Sequence, residues 1–228
     1  MTIAIIPARG GSKRIPRKNI KLFHGKPIIA YAIETALESG IFSTVIVSTD
    51  DREIAEIAEK HGAEVPFLRS PKNADDFATT SEVLIEVIEQ LENRQFFFNK
   101  VCCLYPTSPL IQATDIINAS KLFNANQLDT LISCVAYSFP IQRSFQLIEN
   151  NVIRLNQPEL INERSQDLDT NYHDAGAMYF FNAQKFKETK SLWSGNIGAY
   201  ELPELKVQDI DTREDWRIAE LKYAIIHS

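Results

Sequence analysis

The chain has 228 residues, a formal net charge of −6, 44% hydrophobic residues and 24% charged residues. That size and mix fit one soluble domain with a substantial core, and the acidic balance argues against nucleic-acid or membrane-surface binding. No apolar run approaches the ~20 residues of a membrane span, and Met1 leads straight into strand-like sequence without a leader pattern, so a cytoplasmic protein is expected. Cys102, Cys103 and Cys134 sit in apolar runs with no Cys-x-x-Cys spacing, which reads as buried thiols, neither a disulfide framework nor a zinc site.

Thr2–Ile6 reads as a first strand running into Pro7-Ala8-Arg9-Gly10-Gly11-Ser12-Lys13-Arg14-Ile15-Pro16-Arg17-Lys18-Asn19, with five cations between Arg9 and Lys18. Such local positivity in an acidic chain needs a cause. Adjacent glycines let backbone N–H groups turn toward a ligand, and Arg and Lys neutralise its charge, so the stretch has the profile of a polyphosphate-binding loop. The alternative is a solvated basic loop without a ligand. The spacing is neither that of a P-loop nor that of the dinucleotide fingerprint, which also counts against a nicotinamide-dependent dehydrogenase.

A helix is predicted over Pro27–Glu38, with Pro at its first turn and Gly40 beyond its end. Val45–Ser48 reads as the second strand, Asp51–His61 as a helix closed by Gly62, and Glu64–Leu68 as a short third strand. Val47-Ser48-Thr49-Asp50-Asp51 ends a strand where open α/β sheets place their ligand crevice, but equally supplies an N-cap. Thr79-x-x-Glu82 is a capping box for a helix to about Asn93.

Val101–Leu104 and Thr130–Ala136 are further strands, separated by a helix over Thr114–Phe123. Leu104-Tyr105-Pro106-Thr107-Ser108-Pro109-Leu110 makes a rigid loop at the same sheet edge as the phosphate loop. Residues 138–172 are polar and irregular, with Asn150-Asn151 as a hairpin turn, and read as an arm that packs on a partner subunit. Asn171-Tyr172-His173-Asp174-Ala175-Gly176 is a loop feeding a strand over Gly176–Phe181. Ile197–Leu202 and Lys206–Ile210 are short strands, and Asp211 or Thr212 caps a last helix to about Ile226.

The alternation of strands and helices predicts an α/β, three-layer, mostly parallel sheet with helices on both faces, in one domain over 1–228. In an extended segment Asp209 and Asp211 point the same way and suit Mg²⁺; the alternative is that they serve the helix N-terminus. Beside a phosphate loop, metal binding is favoured. No nucleophilic triad stands out. Ser12 and Ser108 have no His near in sequence, and among the histidines only His173 has suggestive neighbours.

Pro7-Ala8-Arg9-x-x-Ser12-Lys13-x-x-Pro16-x-Lys18-Asn19 resembles the signature of the cytidylyltransferases that activate sialic acids. Val47-Ser48-Thr49-Asp50, Pro106-Thr107-Ser108-Pro109-Leu110, Gly176-Ala177 and Asp209-Ile210-Asp211-Thr212 match later blocks in the same order, over nearly the whole chain. The block from Tyr172 to Tyr179 is most similar to the pseudaminic acid branch. The resemblance implies a nucleotide-diphospho-sugar transferase-like, Rossmann-like fold with a dimerisation arm. It implies the reaction of CTP with a nine-carbon 2-keto sugar acid to give a CMP-sugar, for surface glycan or flagellin glycosylation, and pyrophosphate.

By position, the resemblance assigns Arg9, Ser12, Lys13 and Lys18, with the backbone of Ala8, Gly10 and Gly11, to the CTP phosphates. Asn19, Arg69, Ala78 and Thr80 lie around ribose and cytosine. Asp209 and Asp211 hold Mg²⁺. Tyr105, Pro106, Thr107, Ser108, His173, Asp174 and Gly176 face the sugar, and Arg164 reaches from the arm into the partner's site of a homodimer. Arg9, Lys13, Lys18 and Asp211 are the expected catalytic groups. The sugar 2-hydroxyl attacks the α-phosphorus in line with leaving pyrophosphate, with Asp211 or a metal-bound hydroxide as base.

Tyr105 stands where many N-acetylneuraminate enzymes have Gln, and Asp174-Ala175 where they have Pro-Asn, which points to pseudaminic acid. Other readings are a CMP-N-acylneuraminate, CMP-legionaminate or CMP-Kdo synthetase, the last opposed by Asn19 where Kdo enzymes usually have Pro. A reading of another class is a non-catalytic nucleotide-binding protein.

Overall fold

The first strand, β1 (Thr2–Pro7), is buried on both faces from Ile3 to Ile6, as its unbroken apolar run requires of a strand flanked on both sides. In the computed structural model, which describes residues 1–74 and 77–228, it leads through the cationic loop into a small hairpin of β2 (Leu22–Phe23) and β3 (Lys26–Pro27). Then follow α1 (Ile28–Glu38), β4 (Val45–Ser48), α2 (Arg52–Lys60), α3 (Thr80–Asn93), β5 (Lys100–Leu104), α4 (Ala113–Ala125) and β6 (Thr130–Ala136). A second hairpin, β7 (Phe145–Leu147) and β8 (Ile153–Leu155), precedes β9 (Tyr172–Asn182), α5 (Ala183–Thr189), β10 (Ile197–Glu201) and α6 (Arg213–Ile226).

The main sheet has the order β10-β6-β9-β5-β1-β4. β4, β1 and β5 pair in parallel, as do β6 and β10, while β9 runs antiparallel between β5 and β6. The reversal follows from connectivity: the chain leaves β6, makes the excursion through 138–171 and returns beside the strand it left, as a long hairpin must. The mostly parallel, three-layer sheet therefore forms as expected, with one reversed strand inside it.

Alternation along the strands assigns the two faces. Ala4, Ile6, Val47, Cys102 and Leu104 pack under α1, α2 and α4 through Ile33, Ile54 and Ile116. Ile3, Ile5, Val101 and Cys103 face α3 and α5 through Leu84, Ile88 and Phe186. The three cysteines are buried and free, and burial pushes their thiols above the usual range. A third, smaller core lies outside the sheet. There Ile15, Phe23, Tyr31, Ile210 and Trp216 pack the cationic loop and the β2–β3 hairpin against α6.

Helix ends follow their sequence signals. Thr79 and Glu82 form a reciprocal capping box, Asp51 accepts from the Glu53 and Ile54 N–H groups, and Thr212 pairs with Asp215 in a second capping box. Gly40 and Gly62 follow α1 and α2 at φ +65° and +92°. Pro27 sits at the N-cap of α1, one residue ahead of its expected place.

Two expected strands do not form. Glu64–Leu68 reduces to a bridge from Glu64 to Ile46, because Pro66 has no N–H to continue a ladder. Lys206–Ile210 stays off the sheet because lysines take its carbonyls: Lys222 Nζ bonds Val207 O at 2.6 Å and Lys18 Nζ bonds Ile210 O at 2.6 Å. Conversely Tyr172, His173 and Asp174, expected in a loop, are paired with Ala136, Val135 and Cys134 at the start of β9. A bulge with Gly176 at φ +60° reconciles that segment with the rest of the strand. The Asn150-Asn151 turn of the β7–β8 hairpin forms with both residues left-handed, at φ 58° and 60°.

Candidate functional site

Because β1, β4 and β5 are parallel, their carboxyl ends meet at one edge, where a cleft of about 650 Å³ opens. Its walls bring together Arg9, Ser12, Lys13, Lys18 and Asn19 from the first loop with Arg69, Ala78 and Thr80. Tyr105, Pro106 and Thr107 after β5, and Asp211 ahead of α6, complete it. Arg14, Asn73 and Val83 line it too and were not singled out in the sequence. Arg14 lay within the cationic run, and Val83 is one turn along α3 from Thr80, so both carried a signal.

The loop is braced from β4. The Ala8 N–H bonds Ser48 O at 2.8 Å, and the Gly10 N–H bonds Asp50 Oδ1 at 2.9 Å. A Cβ on Gly10 would lie 2.8 Å from Asp51 Oδ2, so this glycine permits a close approach to the N-terminus of α2. That corrects the expectation that both glycine amides turn toward a ligand: the amide of Gly10 is committed to Asp50. Gly11 is exposed with open space around it, and neither glycine nor the buried Ala8 lines the cleft.

The five cations divide. Arg17, left-handed at φ 56°, turns from the cleft to ion-pair with Asp51 and Glu53. This pairing holds the Asp51 carboxyl below the usual carboxylate range. Asp50 and Asp51 are thus braces for the loop, with Asp51 also capping α2. Asn19, buried, donates from Nδ2 to Arg9 O at 2.9 Å and closes the loop on itself. On the opposite wall the Arg69 guanidinium is buried against Ser48, with Nη2 at 2.5 Å from its carbonyl oxygen and Nε at 3.1 Å from its Oγ.

Asp211 accepts from Arg14 Nη1 at 2.8 Å and lies 3.5 Å from Lys18 Nζ. Since Thr212 caps α6, Asp211 is not needed as its cap. Asp209 is exposed and outside the cleft lining, yet its carboxyl is raised above the usual range by partial desolvation and by Asp211. Of the two carboxylates only Asp211 faces the cleft, and a hard cation that keeps most of its ligands as water and phosphate oxygen needs few protein carboxylates. Among the described residues no group of three or more His, Cys, Asp and Glu has metal-site geometry.

The remaining residues expected to face the sugar lie off the cleft lining. Ser108 is buried, with Oγ 3.5 Å from Ala177 O, beside Gly176. His173 packs its ring on Tyr137 at 4.8 Å and approaches Asp174 O with Nδ1 at 2.9 Å. Asp174 receives the Tyr179 hydroxyl at 2.7 Å, a partner the sequence reading missed. Arg164 is exposed on the arm, paired to Asp167 at 2.6 Å.

A cationic cleft at the carboxyl edge of a largely parallel sheet, closed by an acidic segment, defines an α/β nucleotidyltransferase. The chain belongs to the cytidylyltransferase family, whose model matches residues 3–203. A pseudaminic acid cytidylyltransferase of Campylobacter jejuni is 43% identical over 225 residues, covering 99% of this chain and 97% of that protein. The CMP-N,N'-diacetyllegionaminic acid synthase of Legionella pneumophila is 33% identical over 222 residues, 96% of this chain and 94% of its own. The solved structure of CMP:2-keto-3-deoxy-manno-octonic acid synthetase complexed with CTP superimposes with a TM-score of 0.71 at 18% identity, covering 99% of this chain and 98% of that one. At that identity it speaks for the fold. Among the described residues no helix is long and apolar enough to cross a membrane.

Proposed function

We propose that this cytidylyltransferase couples CTP to pseudaminic acid, giving the CMP-sugar and pyrophosphate. The observation that carries the reading is one cleft lined both by the cations of the first loop and by a group of smaller, largely uncharged residues. Arg9, Lys13, Arg14 and Lys18 of its lining suit a triphosphate, and Asn73, Ala78, Thr80 and Val83, with Arg69 beside Asn73, suit a base and its ribose. The choice of sugar rests on 43% identity to the Campylobacter enzyme over nearly the full length of both chains.

Arg9, Lys13 and Lys18 stabilise the negative charge that grows on the α-phosphoryl oxygens and the leaving pyrophosphate. Asp209 and Asp211 would hold Mg²⁺, which supplies Lewis-acid neutralisation of phosphate oxygens when bound. Arg14 and Lys18 pair with the Asp211 carboxylate at the cleft wall, and Asp211 or a metal-bound hydroxide would take the proton of the attacking sugar hydroxyl.

The chain forms a single domain whose segment 138–172 is an arm for a second copy. Exposed Phe139, Phe145, Leu147 and Ile153 on and beside the β7–β8 hairpin form the apolar surface such a contact needs. Arg164 then reaches the neighbour's sugar carboxylate, while His173 and Asp174, off the lining of the cleft, would meet only the far part of the sugar. A cytoplasmic enzyme drawing on the CTP pool fits this role.

Pyrophosphate release on mixing the protein with CTP, Mg²⁺ and each of pseudaminate, legionaminate, N-acetylneuraminate and Kdo tests the reading. Pseudaminate is expected to give the highest kcat/KM. Equal or faster turnover of another acid overturns the sugar assignment, and no release with any acid overturns the function.

A further inference from the structure

The segment that brings Arg69 and Asn73 to the cleft belongs to neither the sheet nor a long helix. It is a single 3-10 turn, Pro71–Asn73, opened by Ser70. β4 and the residue after it hold its first end, through the Arg69 N–H on Thr49 O at 2.8 Å and the Arg69 guanidinium on Ser48. Its other end is held from α3. Glu86 Oε1 accepts the Ser70 N–H at 2.8 Å, and Glu86 Oε2 accepts both the Ser70 hydroxyl, at 3.0 Å, and the Asn73 side-chain amide.

These bonds take precedence over local ones. Ser70 stands at the N-cap of the turn, where a serine hydroxyl ordinarily serves the turn's own N–H groups, yet it makes no such bond and donates to Glu86. An ionised carboxylate only accepts, so it is the Asn73 nitrogen that faces Glu86, which fixes the way that amide is turned. Arg69 Nη1 reaches the Asn73 backbone oxygen at 3.4 Å, so the two cleft residues are tied to each other as well. Burial lowers the Arg69 pKa from its ordinary value, and the carboxylates of Asp50 and Glu86 oppose that shift. Asp50 lies on the side of the first loop, where it takes the Gly10 N–H, and Glu86 supplies negative charge from the side of α3. Glu86 itself is partly buried and outside the cleft lining.

We propose that Glu86 is a positioning residue for the nucleotide: by holding Ser70 and Asn73 together it sets where Arg69 and Asn73 meet the base and ribose. The inference rests on the cytidylyltransferase reading above and adds to it a residue that touches no substrate. A triphosphate without a nucleoside draws on the cations of the first loop, so its binding does not depend on Glu86.

The test is isothermal titration of CTP and of inorganic triphosphate, each with Mg²⁺, into wild type and Glu86→Gln, with steady-state pyrophosphate release measured on both. Gln has nearly the same size but only one acceptor oxygen, so its amide nitrogen must face groups that also donate. CTP affinity should fall about tenfold, the worth of one charge-assisted hydrogen bond, and triphosphate affinity should stay within about twofold. The KM for CTP should rise in step while the KM for the sugar acid is unchanged. Glu86→Asp keeps the charge but falls one methylene short of its three donors; it should lose about threefold in CTP affinity and serves if Glu86→Gln does not fold. Wild-type CTP affinity in a folded Glu86→Gln protein, or in Glu86→Asp where that is the folded variant, overturns the proposal. An equal loss for CTP and triphosphate overturns it too, being the mark of a cleft that has merely loosened. If wild type itself neither binds CTP nor releases pyrophosphate, the functional reading fails, an outcome distinct from an active wild type with indifferent variants.

Discussion

Lys18 Nζ donates to the Ile210 carbonyl at 2.6 Å, joining positions 192 residues apart. The bond ties the end of the cationic loop to the segment that carries Asp211, and Ile210 itself is fully buried beside Ile15, Phe23 and Trp216. Loop and acidic segment therefore share a small core of their own, in addition to the bonds that brace the loop on β4.

The clearest consequence concerns Asp211→Asn. Thr212 caps α6 through its box with Asp215, and the Arg14 and Lys18 contacts to Asp211 are partly exposed ion pairs of small worth to stability. The melting temperature should change little. Turnover should fall by roughly a hundredfold or more, since a preorganised electrostatic contact at the transition state is worth about 3 kcal/mol. Mg²⁺-dependent kcat on Asp209→Asn and Asp211→Asn decides it, and near-normal turnover in both would remove the carboxylates from the chemistry.

Gly10→Ala should be destabilising although Gly10 is not left-handed. Its Cβ would press on Asp51 Oδ2, a carboxylate already held by Arg17 and by the N-terminus of α2. Overpacking of this kind costs about 1–3 kcal/mol, readable as a lower urea midpoint at unchanged slope. Gly11→Ala, which meets open space, should leave the midpoint near wild type.

Asp51 sets a pH dependence. Its folded pKa is depressed below the ordinary 3.8, chiefly by the hydrogen bond from Arg17, so its stabilising contribution is present above that value. It is lost as pH falls through the lower folded value, where the folded carboxylate is finally protonated. Asp51→Asn keeps the cap but loses the ion pair. The melting-temperature gap between wild type and Asp51→Asn should be constant near neutrality and close below about pH 3.8. A gap that persists through that range would assign the effect to something other than this charge.

The arm makes its own prediction. Phe145→Glu with Leu147→Glu places charge on two exposed apolar positions of the β7–β8 hairpin. Sedimentation should shift from dimer to monomer while the melting curve keeps its cooperative shape. Arg164→Ala, by contrast, should leave the dimer and CTP affinity intact and raise the sugar KM strongly. A monomeric wild type with full activity would remove both expectations.

Much of this protein was legible in its sequence because the signals are local. Thr79 with Glu82, Asp51 ahead of α2, and Gly40 and Gly62 after their helices declare helix ends through hydrogen bonds made within four residues. The apolar run Ile3–Ile6 declares a central strand, and the density of cations after it marks the loop that lines the cleft. Arg9, Lys13, Lys18, Arg69, Thr80 and Asp211 were all named from the sequence, and the fold brings them to one cleft.

Tertiary structure alone decided which members of those patterns reach the cleft. Arg17 looks like its neighbours in sequence, yet Asp51 and Glu53 draw it away. Gly10 looks like a ligand-facing glycine, yet Asp50 takes its amide. Lys206–Ile210 has strand-like composition, but lysines from α6 and from the first loop take the Val207 and Ile210 carbonyls that a ladder would use. Tyr179 stood in the sequence only as the end of a family-like block; its bond to Asp174 forms across the β9 bulge and its packing on Tyr105 once β9 has turned back beside β5. Local sequence determines the hydrogen bonds a residue can make with its neighbours in the chain. Which distant partner competes for the same donor or acceptor is settled by the order of strands in the sheet.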